Sequence, residues 1–131
     1  MIKEDYVSFE IAKLLKEKGF DEPCECFYDT EHNDISIVNG WMDTSNSLLE
    51  EREFLCYSAP TLQMAMKWLR EMYDIHVVPR KDFFNGTYTG MIYDGRRENV
   101  FDKDDYIALV GYETYEQACE DCIKYCLENL I

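Results

Sequence analysis

Five cysteines are spaced as metal ligands sometimes are: Cys24-x-Cys26 near the start and Cys119-x-x-Cys122-x-x-x-Cys126 near the end. Zinc asks for four thiolate or imidazole ligands in a tetrahedron. The second spacing is helical, however, and structural zinc usually takes paired cysteines from a tight turn. A free cysteine is also a small, readily buried apolar residue. Core packing is therefore the expected role, with metal binding and thiol redox chemistry as the sharper alternatives.

The histidines are His32 and His76. His32 sits among Glu31, Asn33 and Asp34 in an expected turn, where nothing adjacent orients it as a base. His76 opens an expected strand between Ile75 and Val77. Cys56 with His76 is a nucleophile–base pair to carry forward, because such constellations are spatial and not sequential. Asp102, Asp104 and Asp105 resemble the opening of a calcium loop, and Glu113 falls at its twelfth position. Ile107 stands near the loop's turn, where Gly is required, and Tyr106 to Val110 reads as a strand, so no calcium site is expected. Glu50, Glu51 and Glu53 read as a solvated edge.

Basic residues concentrate in the middle third as Lys67, Arg70, Arg80, Lys81, Arg96 and Arg97, a candidate basic surface. Phe83, Phe84, Tyr88 and Tyr93 lie between them, and interleaved cations and aromatics can bind single-stranded nucleic acid by stacking and phosphate contacts. Against that reading, no Gly-rich phosphate loop or groove-reading motif is present. Salt bridging with the abundant acids is the commoner use. The residues thus assign no catalytic group, no metal ligand and no cofactor.

Charge sharpens the choice. Thirteen basic and 27 acidic residues leave the 131-residue chain at −14. Residues 1–60 hold 5 Lys/Arg and 14 Asp/Glu, residues 61–100 hold 6 and 5, and residues 101–131 hold 2 and 8. Such a field repels phosphate backbones and disfavours bulk nucleic-acid binding. Its plain use is solubility; its sharper use is to meet a basic protein or to imitate DNA. Hydrophobic content of 47% and aromatic content of 15% exclude a disordered tail. No apolar run is long enough to span a bilayer, and Met1 to Asp5 does not open as an export signal does. A cytoplasmic setting with reduced thiols is expected, and no membrane contact.

The elements that must position these groups are well signalled. Ser8 caps a first helix to about Lys18, stopped by Gly19 with Phe20 folding back in a Schellman ending. Cys24 to Asp29 reads as a strand. Ile35 to Val38, Asn39-Gly40 and Trp41-Met42 read as a type I′ hairpin. Asp43 to Glu53 is a polar loop and Phe54 to Ser58 a strand. A second helix runs from Thr61 to about Tyr73 after Pro60, with Leu62, Ala65, Met66, Leu69 and Met72 as its stripe and Trp68 at the margin. Ile75 to Val78, closed by Pro79, then Thr87 to Tyr93 and Tyr106 to Val110 are strands. A third helix fills Thr114 to Ile131, opened by a Thr114–Gln117 capping box, with Tyr115, Ala118, Cys119, Cys122, Cys126 and Leu130 on one face. Leu55 to Ala65 and Leu109 to Ala118 share a strand-then-capped-helix grammar.

Tight hairpin signals predict a mainly antiparallel sheet with three helices packed mostly on one face, a two-layer α+β sandwich. Nothing marks a linker, so residues 1–131 are expected to form a single domain.

Ala59-Pro60-Thr61-Leu62-Gln63-Met64-Ala65-Met66-Lys67-Trp68-Leu69-Arg70-Glu71, with Lys13 to Phe20 before it and Thr114 to Leu127 after it, resembles a family of small uncharacterised proteins. These belong to gut Bacteroidales and their phages and prophages. The resemblance covers nearly the whole chain in order. It implies a phage or mobile-element setting inside a bacterial cell, and no activity or site residues. A shorter likeness, Gly111 to Ala118, is to the strand-to-helix junction of HicB-type antitoxins, without their DNA-binding tail.

The sequence therefore leads to a non-catalytic interaction or regulatory accessory factor. Its expected partner is an unidentified protein or a second copy of itself as a homodimer. A nucleic-acid-associated regulator, antitoxin-like or DNA-mimicking, is the first alternative, and a small hydrolase or metal-binding protein the second.

Overall fold

Ser8 opens the first helix, α1 (Phe9–Glu17), by accepting the Ile11 N–H on its hydroxyl at 3.3 Å. At the other end Gly19 takes φ +91°, which its missing Cβ permits. The Phe20 N–H then reaches Leu15 O at 2.9 Å and the Gly19 N–H reaches Lys16 O at 3.1 Å, the paired bonds of a Schellman motif. Phe20 is 1% exposed, so the turn that stops the helix also delivers a large side chain to the core. This computed structural model describes residues 1–29, 36–52, 56–97 and 105–131.

The chain divides into two compact units, residues 1–61 with Ile131, and residues 62–130. In the first, β1 (Cys24–Asp29) lies between β2 (Ser36–Thr44) and β3 (Cys56–Ser58), antiparallel to both. The strand β1 alternates: Cys24, Cys26 and Tyr28 are buried, while Glu25 is exposed and Phe27 and Asp29 half-buried. The Tyr28 hydroxyl donates to Val7 O at 2.7 Å, and the Phe9 ring meets Tyr28 and Tyr57 edge-on at 5.6 and 5.5 Å. A short helix, α2 (Asn46–Glu51), capped by Ser45, packs near β3.

The second unit begins with α3 (Leu62–Tyr73) and continues through β4 (Ile75–Lys81), β5 (Tyr88–Asp94) and β6 (Ile107–Tyr112) to α4 (Tyr115–Asn129). The three strands form an antiparallel sheet in chain order. The helix α4 contacts all three strands, and α3 contacts β4 and α4. Thr114 caps α4, its hydroxyl accepting the Gln117 N–H at 3.1 Å. Ala118, Cys119, Cys122, Ile123, Cys126 and Leu127 are all sealed from solvent along one face. Each fully buried Leu or Ile of such a stripe stabilises by roughly 1.5–3 kcal/mol.

The fold is α+β with antiparallel pairing, as the hairpin signals predict. Four local expectations are corrected. There are four described helices, since α2 occupies part of the stretch expected to be a polar loop. Asn39-Gly40 does not turn the chain: β2 runs through it, with Asn39 opposite Cys26 and a register shift before the Cys24–Thr44 pair. Glycine inside a strand commonly marks such a bulge. Pro79 does not close β4, because β4 is an edge strand where a missing N–H costs no ladder bond. In α3, Trp68 is buried at 6% exposure, while Met72, in the last turn, is 62% exposed. The strands also divide between two sheets, and the strand and helix of the Leu55–Ala65 segment fall on either side of the unit boundary.

Candidate functional site

The six candidate cations separate into two groups. Arg96 grips Asp94 with two bonds, Nε to Oδ1 at 2.9 Å and Nη2 to Oδ2 at 3.0 Å, and also caps Leu130 O at 2.8 Å. That guanidinium holds the Asp94 carboxyl below its ordinary 3.8, against the opposing effect of burial. Arg97 pairs with Asp105 at 3.0 Å, and Lys67 with Glu71 one turn along α3 at 3.9 Å. Arg70, Arg80 and Lys81 are exposed, and among the described residues none has a carboxylate within ion-pair distance. Asp102 and Asp104 of the calcium-like run lie outside the described residues. Asp105, by its pairing with Arg97, has a structural partner.

Arg80 and Lys81 lead into the hairpin joining β4 to β5, and its tip is closely knit. The Asp82 N–H reaches Thr87 O at 2.8 Å and the Gly86 N–H reaches Asp82 O at 2.9 Å. The Asp82 carboxylate accepts the Phe84 N–H at 2.9 Å, and Asn85 Oδ1 accepts both the Thr87 N–H at 3.0 Å and its hydroxyl at 2.6 Å. Gly86 sits at φ +73°, the left-handed conformation this turn demands. On this frame Phe83 and Phe84 are 86% and 103% exposed. Lys81 Nζ lies 5.9 Å from the Phe83 ring centre and 5.6 Å from that of Tyr88, within cation–π range. An aromatic pair left in water beside a cation with no carboxylate partner among the described residues is the least explained feature of the surface. Sequence reading names Phe83 and Phe84 only as aromatics among the bases; their position between Asp82 and the Asn85-Gly86 turn was the available signal.

All six cysteines are buried and none is in a disulfide. Burial, helped by Glu116 and Glu120, pushes the Cys119 thiol up to about 11. Burial likewise pushes Cys122 and Cys126 up to about 12. Thiols so disposed are core atoms. Among the described residues, no group of three or more His, Cys, Asp or Glu is placed to hold a metal ion. A two-unit rise in pKa lowers the thiolate fraction by on the order of 100-fold near neutral pH. The native protein should therefore react slowly with a thiol-specific chromophore at pH 8, and all six cysteines should react at once in denaturant. A fast-reacting native thiol would show that the burial is not maintained in solution.

His76 lies on β4 with Nε2 2.7 Å from Asp74 Oδ1. Asp74 itself has φ +53° and ends α3, its N–H reaching Arg70 O at 3.1 Å and its carbonyl accepting the Gly95 N–H at 2.8 Å. The pair thus belongs to the helix stop. Cys56 lies in the first unit with Sγ 4.0 Å from Asp29 Oδ1. His32 lies outside the described residues, as does Glu53; Glu50 pairs with Lys16 at 3.4 Å and Glu51 is exposed.

In the first unit a cavity of about 220 Å³ is lined by Lys16, Phe20, Asp21, Asn46, Ser47 and Glu50. Its polar groups are already occupied. Asn46 bonds Phe20 O and the Ser58 N–H, Ser47 bonds Asp21 through N–H and hydroxyl, and Lys16 bonds Glu50. The Ser47 bonds hold the Asp21 carboxyl below its ordinary value. No helix among the described residues is long and apolar enough to cross a membrane.

No protein-family model, no curated protein and no solved structure matches the chain.

Proposed function

We propose that this chain acts by binding and not by catalysis, as a small interaction or regulatory accessory factor of phage or mobile-element type in the bacterial cytoplasm. The observation that carries this reading is the Phe83–Phe84 tip. Exposed aromatics lose apolar burial in water, so a chain that holds two of them on a rigid hairpin gains only when a partner covers them. Rigid aromatic anchors are typical energetic centres of protein interfaces. Arg80 and Lys81 at the base of the hairpin favour a partner with an apolar pocket and an acidic rim.

A nucleic-acid-associated regulator is the second reading, favoured by Arg70, Arg80 and Lys81 having no carboxylate partner among the described residues and by Lys81 lying beside the stackable Phe83 and Tyr88 rings. The chain's net −14 opposes it. Affinity capture of the tagged protein from its native host, with and without nuclease, separates the two. The binding reading expects a stoichiometric protein that survives nuclease. It also expects the double variant Phe83→Ser, Phe84→Ser to bind that protein more weakly by ~30-fold or more, the loss of one hot spot of about 2 kcal/mol. Retention that vanishes with nuclease would put the regulator reading first.

A further inference from the structure

Asn-Gly occurs twice in the chain, as Asn39-Gly40 and Asn85-Gly86, and the fold treats the two differently. An asparagine amide carbon is open to attack by the next backbone nitrogen when glycine follows, because no Cβ crowds the approach. The ring that forms needs the backbone after the asparagine to swing toward its side chain. Asn39 and Gly40 lie inside β2, with Asn39 paired opposite Cys26 of β1, and a paired strand resists that swing. Asn85 and Gly86 stand exposed at the tip of the β4–β5 hairpin. A Cβ built on Gly86 meets nothing within 4 Å, so the space around it is open.

Two further contacts bear on the attack. Asn85 Oδ1 accepts the Thr87 N–H at 3.0 Å and the Thr87 hydroxyl at 2.6 Å. Both donors are aimed at the oxygen that collects negative charge as a nucleophile adds to Asn85 Cγ, which stabilises a tetrahedral intermediate. The opposing contact is the Gly86 N–H, which donates to Asp82 O at 2.9 Å and must leave it first. That bond lies in an exposed turn, and exposed turns open locally at small cost.

We propose that Asn85 is a self-modification site, at which the Gly86 nitrogen closes on Asn85 Cγ and the tip amide becomes a carboxylate. Water is the one co-reactant. Gly86 N gives its proton to solvent and bonds Cγ; the Cγ–Nδ2 bond breaks, and Nδ2 leaves as ammonia. Water then opens the cyclic imide. Attack at Cγ restores the peptide with an aspartate at position 85. Attack at the backbone carbonyl carbon leaves the chain running through Cγ, one methylene longer. Either product adds a negative charge beside Phe83 and Phe84, in a loop that already holds Asp82. The longer product also mismatches the loop that the Asp82–Thr87 backbone bond closes. The chemistry at Asn85 stands without any partner; only its effect on binding rests on the reading of the tip given above.

Peptide mass mapping with an isoaspartate assay, on the parent chain held in mildly alkaline buffer and digested at intervals, tests this. The expected result is a gain of about 1 Da on the Asn85 peptide, from exchange of an amide nitrogen for oxygen. The Asn39 peptide should stay unchanged while the fold is intact, and both should convert in denaturant. Thr87→Val removes one donor and should slow the conversion about two- to tenfold, the range of one net hydrogen bond. Thr87→Ser, which restores the hydroxyl, should recover the parent's rate. An Asn85 that persists in the folded chain, or an Asn39 that converts as fast, overturns the proposal. So does Thr87→Val converting at the parent's rate. Asn85→Asp, used as bait beside the parent, should retain less of the host protein. Bait that retains no protein even as the parent would sink the binding reading and leave the mass shift in place.

Discussion

Gly90→Ala is expected to destabilise the second unit by about 2–3 kcal/mol, although Gly→Ala within a strand is ordinarily favourable. A Cβ built at Gly90 lies 2.1 Å from Cys122 Sγ and 3.4 Å from Ala118 O. The glycine is therefore the place where α4 comes down onto β5, and the sulfur fills the space a side chain would need. Removing backbone freedom from the unfolded chain would contribute about 0.4–1 kcal/mol in the opposite direction. The clash outweighs that gain because Cys122 and its neighbours Cys119, Ile123 and Cys126 are all fully buried, leaving the sulfur nowhere to rotate. Cys122→Ala alone should cost about 1 kcal/mol for the small void it leaves. The double variant is the decisive measurement, since the new methyl then occupies the space of the lost sulfur. Denaturant titration should find it more stable than Gly90→Ala alone, with a coupling of about 2 kcal/mol. Additive effects, or a Gly90→Ala variant as stable as the parent, would mean that α4 does not sit on this strand at this distance.

The partners in that contact were unequally legible in the sequence. Cys122 falls on the apolar stripe of a capped helix, and the stripe is local information, so its burial was readable at once. Gly90 looked like any strand residue, because what makes it necessary arrives 32 positions later in the chain. The same division holds elsewhere. Ser8, Gly19 and Phe20 specify both ends of α1 through bonds within a few residues. Asn39-Gly40 carries a hairpin preference just as local, but the pairing of β2 along β1 overrides it. Pro79 ends a strand in a central position and not at an edge, and edge position is a property of the whole sheet. The candidate cations show the limit most plainly. Their types were visible, but Arg97 finds Asp105 eight positions further along the chain, while Arg80 and Lys81 run into a hairpin whose tip has no carboxylate on offer to them except Asp82. That residue is engaged with the backbone of Phe84. Which cations remain unneutralised is therefore a result of the fold.

Asn46 carries the second large expected effect, and it lies in a stretch that reads as polar loop. It is 5% exposed, donates from Nδ2 to Phe20 O at 2.7 Å and accepts the Ser58 N–H on Oδ1 at 2.9 Å. One side chain thus satisfies the carbonyl that ends the α1 turn and an amide of β3. Asn46→Ala removes both of these hydrogen bonds to buried backbone groups, at about 1–3 kcal/mol each, so a loss of roughly 2–6 kcal/mol is expected by denaturant titration. Asp21 makes bonds to Ser47 that are at least as short, yet it is exposed and water replaces them, so Asp21→Asn should cost less than about 1 kcal/mol. Asn46→Asp separates lost hydrogen bonds from lost volume. Its carboxylate still accepts from Ser58 but turns an oxygen toward Phe20 O, which favours the protonated form and raises its folded pKa. A raised folded pKa gives stability that is present at low pH and lost as pH rises through it. Asn46→Asp should therefore approach the parent as the pH falls toward the carboxylate range, while Asn46→Ala should show no such recovery. If Asn46→Ala proved no worse than Asp21→Asn, the side chain would not be bridging α1 and β3. The helix α2 would then be held by its apolar contact through Leu49 together with the Ser47–Asp21 bonds and the Lys16–Glu50 pair.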